Sequence, residues 1–392
     1  MHQAVIIDAV RTPMGRGKPG GALSGVHPAQ LLATVLRALI DHAGIDPALV
    51  DDVIVGCVMQ AGEQANNPAR VAWLAAGFPE SVPGTTIDRQ CGSSQQAVHF
   101  AAQGIMAGAY DVAIAGGVES MSRVPMGTAR GERDPFGPAY AERYAPGQVH
   151  QGISAELVAA RFGLDRDALD AYAARSHRCA AATRAEGGFE REIVPVTADN
   201  VLVEADETIR PDTTPEALAA LKPSFVNEAM ARRFPEIRWS IHAGNSSQIT
   251  DGAAALLLAS EAAAARLGLT PRARFAGFDV IGDDPIAMLT GPIPATRRVL
   301  KKSGLALDDI DHVEVNEAFA PVPLAWAKAL GADAARLNPC GGAIALGHPL
   351  GASGARLMTT MLNALERSGG RYGLQTMCEG GGMANATIIE RI

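Results

Sequence analysis

Gly44-Ile45-Asp46-Pro47-Ala48-Leu49-Val50-Asp51-Asp52-Val53-Ile54-Val55-Gly56 and Gly304-Leu305-Ala306-Leu307-Asp308-Asp309-Ile310-Asp311-His312-Val313-Glu314-Val315-Asn316 align without a gap, 260 residues apart. The apolar pattern of the two ends coincides: Val50, Val53 and Val55 fall on Ile310, Val313 and Val315. Each segment follows a run of helical character, Leu31 to Ala43 in one case and Pro294 to Ser303 in the other. Both therefore read as helix, glycine stop, short loop and strand. At the same spacing Cys91-Gly92-Ser93-Ser94 falls on Gly351-Ala352-Ser353-Gly354. Each of these opens a predicted helix, Gln95 to Ala107 and Ala355 to Arg367. Each helix leads to a strand that ends in glycines, Asp111 to Gly117 and Leu374 to Gly380. Two matched segments in one order at one spacing indicate a duplicated α/β half.

Outward from the repeat, the chain divides into residues 1–120 plus 246–269, an insertion at 121–245, and residues 270–392. Strands alternating with helices predict mostly parallel, buried sheets in both halves. The helix from Gln95 carries apolar residues on most faces, as expected between two sheets. The insertion is rich in charge and in prolines, among them Pro125, Pro138, Pro146, Pro211 and Pro223. It reads as loop-rich, with one amphipathic helix from about Ala168 to Glu186, and is placed to cover a site built by the two halves. The N-terminus runs directly from Met1-His2-Gln3 into a strand-like segment, with no leader pattern.

Composition bounds the function. The 392 residues are 47% hydrophobic and 19% charged, which is a globular composition with ample core material. A net charge of −8 without a Lys/Arg-rich run argues against nucleic-acid binding. No stretch approaches the ~18 uninterrupted apolar residues of a membrane span. Five cysteines with no C-x-x-C pair fit a reducing cytoplasm, with neither a disulfide framework nor a metal site.

Four polar residues stand out by their frames. Cys91 precedes a helix, where unpaired N–H groups and the helix dipole favour a thiolate; it also reads as a small buried residue. His348, in Gly347-His348-Pro349 within a glycine-rich run from Gly341 to Gly351, suits a general base or oxyanion donor, or a structural imidazole. Cys378 opens Cys378-Glu379-Gly380-Gly381-Gly382 and suits a second acid/base, or a core position at a strand end. Asn316 ends a second-half strand; there it can orient a water or carbonyl, or cap a helix with Glu317 in the first turn. Cys91, Asn316 and Cys378 all fall near C-terminal strand ends, where α/β folds build sites. Cys57, Cys179, Cys340, His27, His42, His99, His177 and His312 lack comparable frames and read as packing or surface residues.

The ordered set resembles the thiolase family along essentially the whole chain. It comprises Asp88-Arg89-Gln90-Cys91-Gly92-Ser93-Ser94, Gly116-Gly117-Val118-Glu119-Ser120-Met121-Ser122, Ala243-Gly244-Asn245-Ser246-Ser247, Gly291-Pro292-Ile293-Pro294, Asn316-Glu317-Ala318-Phe319, Gly347-His348-Pro349 and the C-terminal Cys378 frame. The resemblance implies two stacked halves in a five-layered αβαβα arrangement with an inserted loop domain, and a homodimer or homotetramer. It implies coenzyme A and acyl-CoA as substrates, with no permanently bound cofactor and no metal. It assigns Cys91 as acyl-accepting nucleophile, His348 as its activator, Cys378 as the α-carbon acid/base and Asn316 as holder of an oxyanion-site water. The N–H groups of Cys91 and Gly380 match the family's second oxyanion site. Ser247, Ala243 and Gly244 match the loop that contacts pantetheine. His150, Met288 and Phe319 match the surroundings of the acyl group.

Three residues depart from common family patterns. Asp88 stands where many members have Asn, Ser94 where many have Gly, and Gln151 where short-chain biosynthetic members carry Met. The third bears on the acyl pocket, so acetoacetyl-CoA is not assumed as substrate. The Ser246-Ser247-Gln248 and Met121-to-Pro125 stretches lean toward degradative members, such as those of fatty-acid β-oxidation. Acetyl-CoA acetyltransferase restricted to acetoacetyl-CoA is the alternative. A ketoacyl-synthase-type enzyme would pair two histidines with its nucleophile, and a non-catalytic acyl-CoA-binding protein would not need all four polar positions filled.

Overall fold

The computed structural model describes residues 3–145, 147–333 and 336–392. The expected leader-free start at Met1-His2 and the insertion proline Pro146 lie outside the described residues. The main sheet is built from β1 (Ala4–Arg11), β2 (Gly15–Arg16), β3 (Asp52–Gly56), β4 (Gly84–Ile87), β5 (Val112–Ser120), β8 (Thr250–Ser260), β9 (Ala273–Gly282), β10 (His312–Val315), β11 (Tyr372–Glu379) and β12 (Met383–Arg391). A hairpin of β6 (Val196–Ala198) and β7 (Val201–Val203) stands apart.

The strand order β10-β11-β12-β9-β1-β8-β5-β3-β4 joins two half-sheets. They meet through a short antiparallel contact, Val5 with Arg274 and Ile6 with Ala273. The expectation of mostly parallel sheets is corrected here. β3/β4, β3/β5 and β10/β11 are parallel; β1/β8, β5/β8, β9/β12 and β11/β12 are antiparallel. Each half ends by sending a strand back alongside its neighbours, and Gly380–Gly382 is short enough to be a hairpin turn. The glycines that read as the end of the strand thus also reverse the chain.

The duplicated elements fall at the same spacing. Helices Pro28–Ala43 and Pro292–Ser303 stop at Gly44 (φ 62°) and Gly304 (φ 71°), a left-handed conformation that favours glycine. The two central helices begin at Ser93 and Ser353. Period-2 burial sorts the layers. In β8, Ala253, Ala255, Leu257 and Ala259 face the helices Pro28–Ala43 and Pro68–Ala75. Ala254, Leu256 and Leu258 face inward, with Ala97, Ala101 and Ile105 of one central helix and Met358, Met361 and Leu365 of the other. The second half-sheet turns Val313, Val315, Leu374 and Ile388 toward Ile293, Val299, Val322 and Trp326 of its own outer helices. Helices, sheet, central helices, sheet and helices make the five layers.

Glycine permits the close crossing of the central helices. A Cβ on Gly117 would lie 2.0 Å from the Gly351 carbonyl oxygen, and one on Gly354 2.3 Å from Gln95 N. The segment 121–245 holds more helix than expected. Gln151–Arg161, with eight buried residues, was not foreseen; Arg166–Ala185 matches the foreseen amphipathic helix and is capped by Asp165.

Candidate active site

Cys91 sits on a tight turn between β4 and the central helix. Gln90 is held at φ 50°, with its N–H donated to Asp88 Oδ1 at 2.6 Å. Ser93 Oγ donates to Gln90 O at 2.6 Å and accepts from Arg89 N at 2.9 Å. Asp88 and Ser93 therefore fix the turn, and Asp88 performs a capping role that suits an acceptor oxygen. Cys91 itself is 5% exposed.

Burial is the largest influence on the Cys91 thiol, and only the backbone N–H groups of Cys91 and Gly380 favour its thiolate. Burial outweighs them, and Glu379 adds to it; together they push the thiol up to about 12. The thiolate expected from the helix end is thus corrected. Cys91 precedes Ser93, the first helical residue, by two positions and rests as a protonated thiol that needs a base.

His348 presents an unprotonated ring nitrogen. Its Nδ1 lies 2.5 Å from Ser353 Oγ, and Ser353 donates its own proton to Pro349 O at 2.8 Å. The hydroxyl can then only accept from Nδ1–H, which leaves Nε2 as a bare acceptor. Nε2 is buried with no partner among the described residues. Burial, and then the Arg356 guanidinium, hold the imidazole down to about 3, so it stays neutral. The backbone N–H of His348 is anchored on Gln248 O and Thr250 Oγ1, both at 3.0 Å.

Cys378, near the end of β11, is close enough to Cys91 for their charges to interact. Burial, then Cys91 and Glu379, push its thiol well above the usual range, so it rests as an acid. Asn316 follows β10, its N–H bonded to Thr376 O at 3.0 Å. Both side-chain amide atoms are buried without partners among the described residues. Buried polar atoms are nearly always paired, so Asn316 and His348 Nε2 mark a place for a polar ligand. The helix-cap reading of Asn316 fails, because the next helix starts only at Pro321.

Ser247 N bonds Ala318 O at 3.0 Å, and Gln248 N bonds Ala343 O at 3.4 Å. The Ala243–Ser247 loop therefore runs between the Asn316 and His348 segments. Gly244 leaves room for Leu218, whose Cδ2 would lie 2.5 Å from an added Cβ. Met288 and Phe319 share an apolar cluster with Cys378. Phe319 meets the Phe225 ring edge-on at 6.1 Å, and His150 packs on Phe225 at 5.1 Å. His150 also caps its own helix, accepting from Gly152 N at 3.1 Å. The structure thus gathers Cys91, Cys378 and Gly380 directly, joins Asn316 to His348 through the Ser247 loop, and sets Met288, Phe319 and His150 around them.

Sequence reasoning missed two buried carboxylates that hold this arrangement. Glu317 accepts from Tyr172 Oη at 2.8 Å, Ser176 Oγ at 2.7 Å, Asn338 Nδ2 at 3.0 Å and Ile344 N at 3.0 Å. It ties the insertion helix to the glycine-rich run, and a Cβ on Gly342 would strike it at 2.3 Å. Glu119 accepts from Val58 N, Met59 N, Gln64 Nε2 and Gly351 N at 2.7–3.0 Å. Both stand inside motifs quoted from the sequence, which carried no sign of their burial or of their partners. Cys57 and Cys340 are buried as expected, with Arg367 donating to Cys340 Sγ at 3.4 Å. His27 and His42 are exposed, while His99 is buried against Thr387 Oγ1 at 2.7 Å.

Residues 4–262 match the family described as thiolase, N-terminal domain, and residues 269–391 match thiolase, C-terminal domain. The chain is 52% identical over 400 residues to the steroid 3-ketoacyl-CoA thiolase FadA6 of Mycobacterium tuberculosis, covering 100% of this chain and 95% of that one. It is 45% identical over 401 residues to a 3-ketoacyl-CoA thiolase of Citrobacter koseri, with both chains covered in full. Among solved structures, the acetyl-CoA acetyltransferase of Bacillus anthracis superposes with a TM-score of 0.89 at 39% identity, covering 100% of this chain and 99% of the other.

Proposed function

The chain belongs to the thiolase family and is an acyltransferase, and from that premise we propose that it cleaves 3-ketoacyl-CoA with coenzyme A through an acyl-enzyme on Cys91. The carrying observation is that the helix starts beside Cys91 and His348 meet, Ser94 Oγ accepting from Ala355 N at 2.9 Å, with a buried, protonated thiol on one side and a bare, neutral Nε2 on the other. In this reading the Cys91 proton passes to His348 Nε2 as sulfur attacks the 3-keto carbon. The N–H groups of Cys91 and Gly380, the two that favour a thiolate at Cys91, receive the tetrahedral oxyanion. Collapse breaks the C2–C3 bond. The acetyl-CoA enolate is held by Asn316, through a water, and by the new His348 Nε2–H. Cys378 gives its proton to C2, and acetyl-CoA leaves.

Acylation also alters Cys378. Once acylated, Cys91 can no longer ionise, so no thiolate there can oppose the Cys378 thiolate. Cys378 then takes the proton of the incoming coenzyme A, whose sulfur attacks the acyl group. His348 returns its proton to the departing Cys91 sulfur, and the site is restored. The reverse order gives Claisen condensation.

Ser247, Ala243 and Gly244 are proposed to contact pantetheine, and His150, Met288 and Phe319 to surround the acyl chain. The 121–245 segment acts as the inserted domain over the site, supported by Tyr172 and Ser176 reaching Glu317. Degradative 3-ketoacyl substrates are favoured by the names of the two relatives, whereas the Bacillus anthracis structure favours the acetoacetyl-CoA alternative. A cytoplasmic homodimer or homotetramer completes the reading. It is supported by the free cysteines and by the partly exposed edge strand β4. Mass spectrometry after incubation with a panel of short, long and ring-containing 3-ketoacyl-CoAs tests the core of it. An acyl mass on Cys91 is expected, and binding with no adduct on any member would defeat the proposal.

A further inference from the structure

Glu379 is a buried ionisable group at this site that the reaction above does not use. It lies between Cys378 and Gly380 and is fully buried. A Cβ on Gly92 would lie 1.9 Å from its Oε1, so the carboxyl is pressed against the residue that follows the nucleophile. Neither oxygen has a hydrogen-bond partner among the described residues. Its counterpart 260 residues earlier is Glu119, just as Gly351 is the counterpart of Cys91. Glu119 is equally buried but accepts four hydrogen bonds in the 2.7–3.0 Å range, one of them from Gly351 N. The duplicated frame therefore offers a way to satisfy such a carboxyl, and the copy beside the nucleophile lacks it.

We propose that Glu379 is a positioning residue for the nucleophile: its carboxyl, packed beneath the Cys91 turn, permits proton loss from Cys91 while it is neutral and opposes it once ionised. This rests on Cys91 being the nucleophile. The groups that face Glu379 are Asp88, Arg89 and Cys91 from the turn and Cys378 from its own strand. Arg89 opposes a neutral carboxyl and Asp88 favours one. Burial is the largest influence, and the carboxyl is pushed up to about 8. Arg89 makes no ion pair with it; its Nη1 reaches Met383 Sδ at 3.9 Å, and Nε has no partner among the described residues. At neutral pH Glu379 thus keeps its proton beside a sulfur about to become negative. Above about pH 8 a carboxylate there repels the thiolate, so the residue sets the alkaline limit of acylation. No covalent step is assigned to it.

The test is iodoacetamide alkylation of the full chain from pH 6 to 10, with the modified cysteine identified by peptide mass. Alkylation follows the thiolate. In the wild type the rate at Cys91 should rise with pH and flatten above about pH 8. In Glu379→Gln it should keep rising. The variant-to-wild-type ratio should then grow from about one at pH 6.5 to several-fold at pH 9.5, at about tenfold for each pKa unit removed. Glu119→Gln should keep the flattening, since its site lies at the other helix end. Superimposable profiles for wild type and Glu379→Gln would overturn the inference, and so would an equal change in Glu119→Gln. Modification of the wild type only at another cysteine overturns the nucleophile assignment itself, a distinct result. Glu379→Met, also neutral, carries the same expectation if the glutamine variant does not fold.

Discussion

The two ends of the central helices are one design carried out twice with opposite results. At the start of Ser353–Ser368, Gly351 donates its N–H to Glu119, and that carboxyl is fully occupied. At the start of Ser93–Met106, the same position holds Cys91, and the matching carboxyl of Glu379 has no hydrogen-bond partner among the described residues. Gly351 has no room for a side chain: a Cβ would meet Cys57 Cα, Gly56 O and Val118 O, each at 2.7 Å. One copy invests its polar groups in stability, and the other leaves them available to reacting atoms. Duplication separates the two demands, which compete when a single site must satisfy both.

The comparison is most sharply broken at the nucleophile. Cys91→Ser should retain the fold and lower thiolysis by about 10⁴ to 10⁶ in kcat, with no acyl mass recovered from the protein. Near-normal turnover would move the nucleophile elsewhere. His348→Ala and Asn316→Ala should each cost about 10² to 10³ in kcat with little change in coenzyme A affinity. Their effect belongs to charge that develops during reaction, so a pure KM change would reassign them to ground-state binding.

Cys378→Ala separates the half-reactions. It should still accept acetyl from acetyl-CoA onto Cys91, yet fail to condense it with a second acetyl-CoA or to exchange α-protons with deuterium. Normal exchange in this variant would give the proton transfer to His348.

The stability comparison gives the smaller effects. Glu119→Gln turns an amide donor toward two of the four donors and should cost about 3 kcal/mol in denaturant unfolding. Glu379→Gln should have the opposite sign at alkaline pH. In the unfolded chain this carboxyl ionises in the ordinary range, but in the fold only at about 8. The folded state therefore binds the extra proton between those limits, and the wild type loses stability as pH rises through that window. Relative to wild type, the variant should gain roughly 1–3 kcal/mol between pH 5 and pH 8, an upper estimate from the size of the shift. A melting-temperature difference that does not change with pH would remove the basis for this.

By itself the sequence determined the duplication, the two central helices and the four polar positions of the site. These are local signals. Glycine at a positive-φ stop, as at Gly44 and Gly304, and apolar period in the strands are set by a few neighbouring residues. A motif likewise carries its neighbours into place, which is why Cys91, His348, Asn316 and Cys378 were legible. Strand direction was not, because the return of β8 and β9 depends on which strands pair across more than a hundred residues.

The protonation of the site also belonged to tertiary structure alone. A helix end predicts a thiolate for Cys91, but burial and Glu379 reverse it. A free histidine predicts partial charge, but burial and Arg356 keep His348 neutral. Glu119 and Glu379 occupy matching places in the repeat, yet one is satisfied and the other is not. Desolvation and hydrogen-bond satisfaction are sums over everything that surrounds a group, and most of those neighbours are remote in the chain.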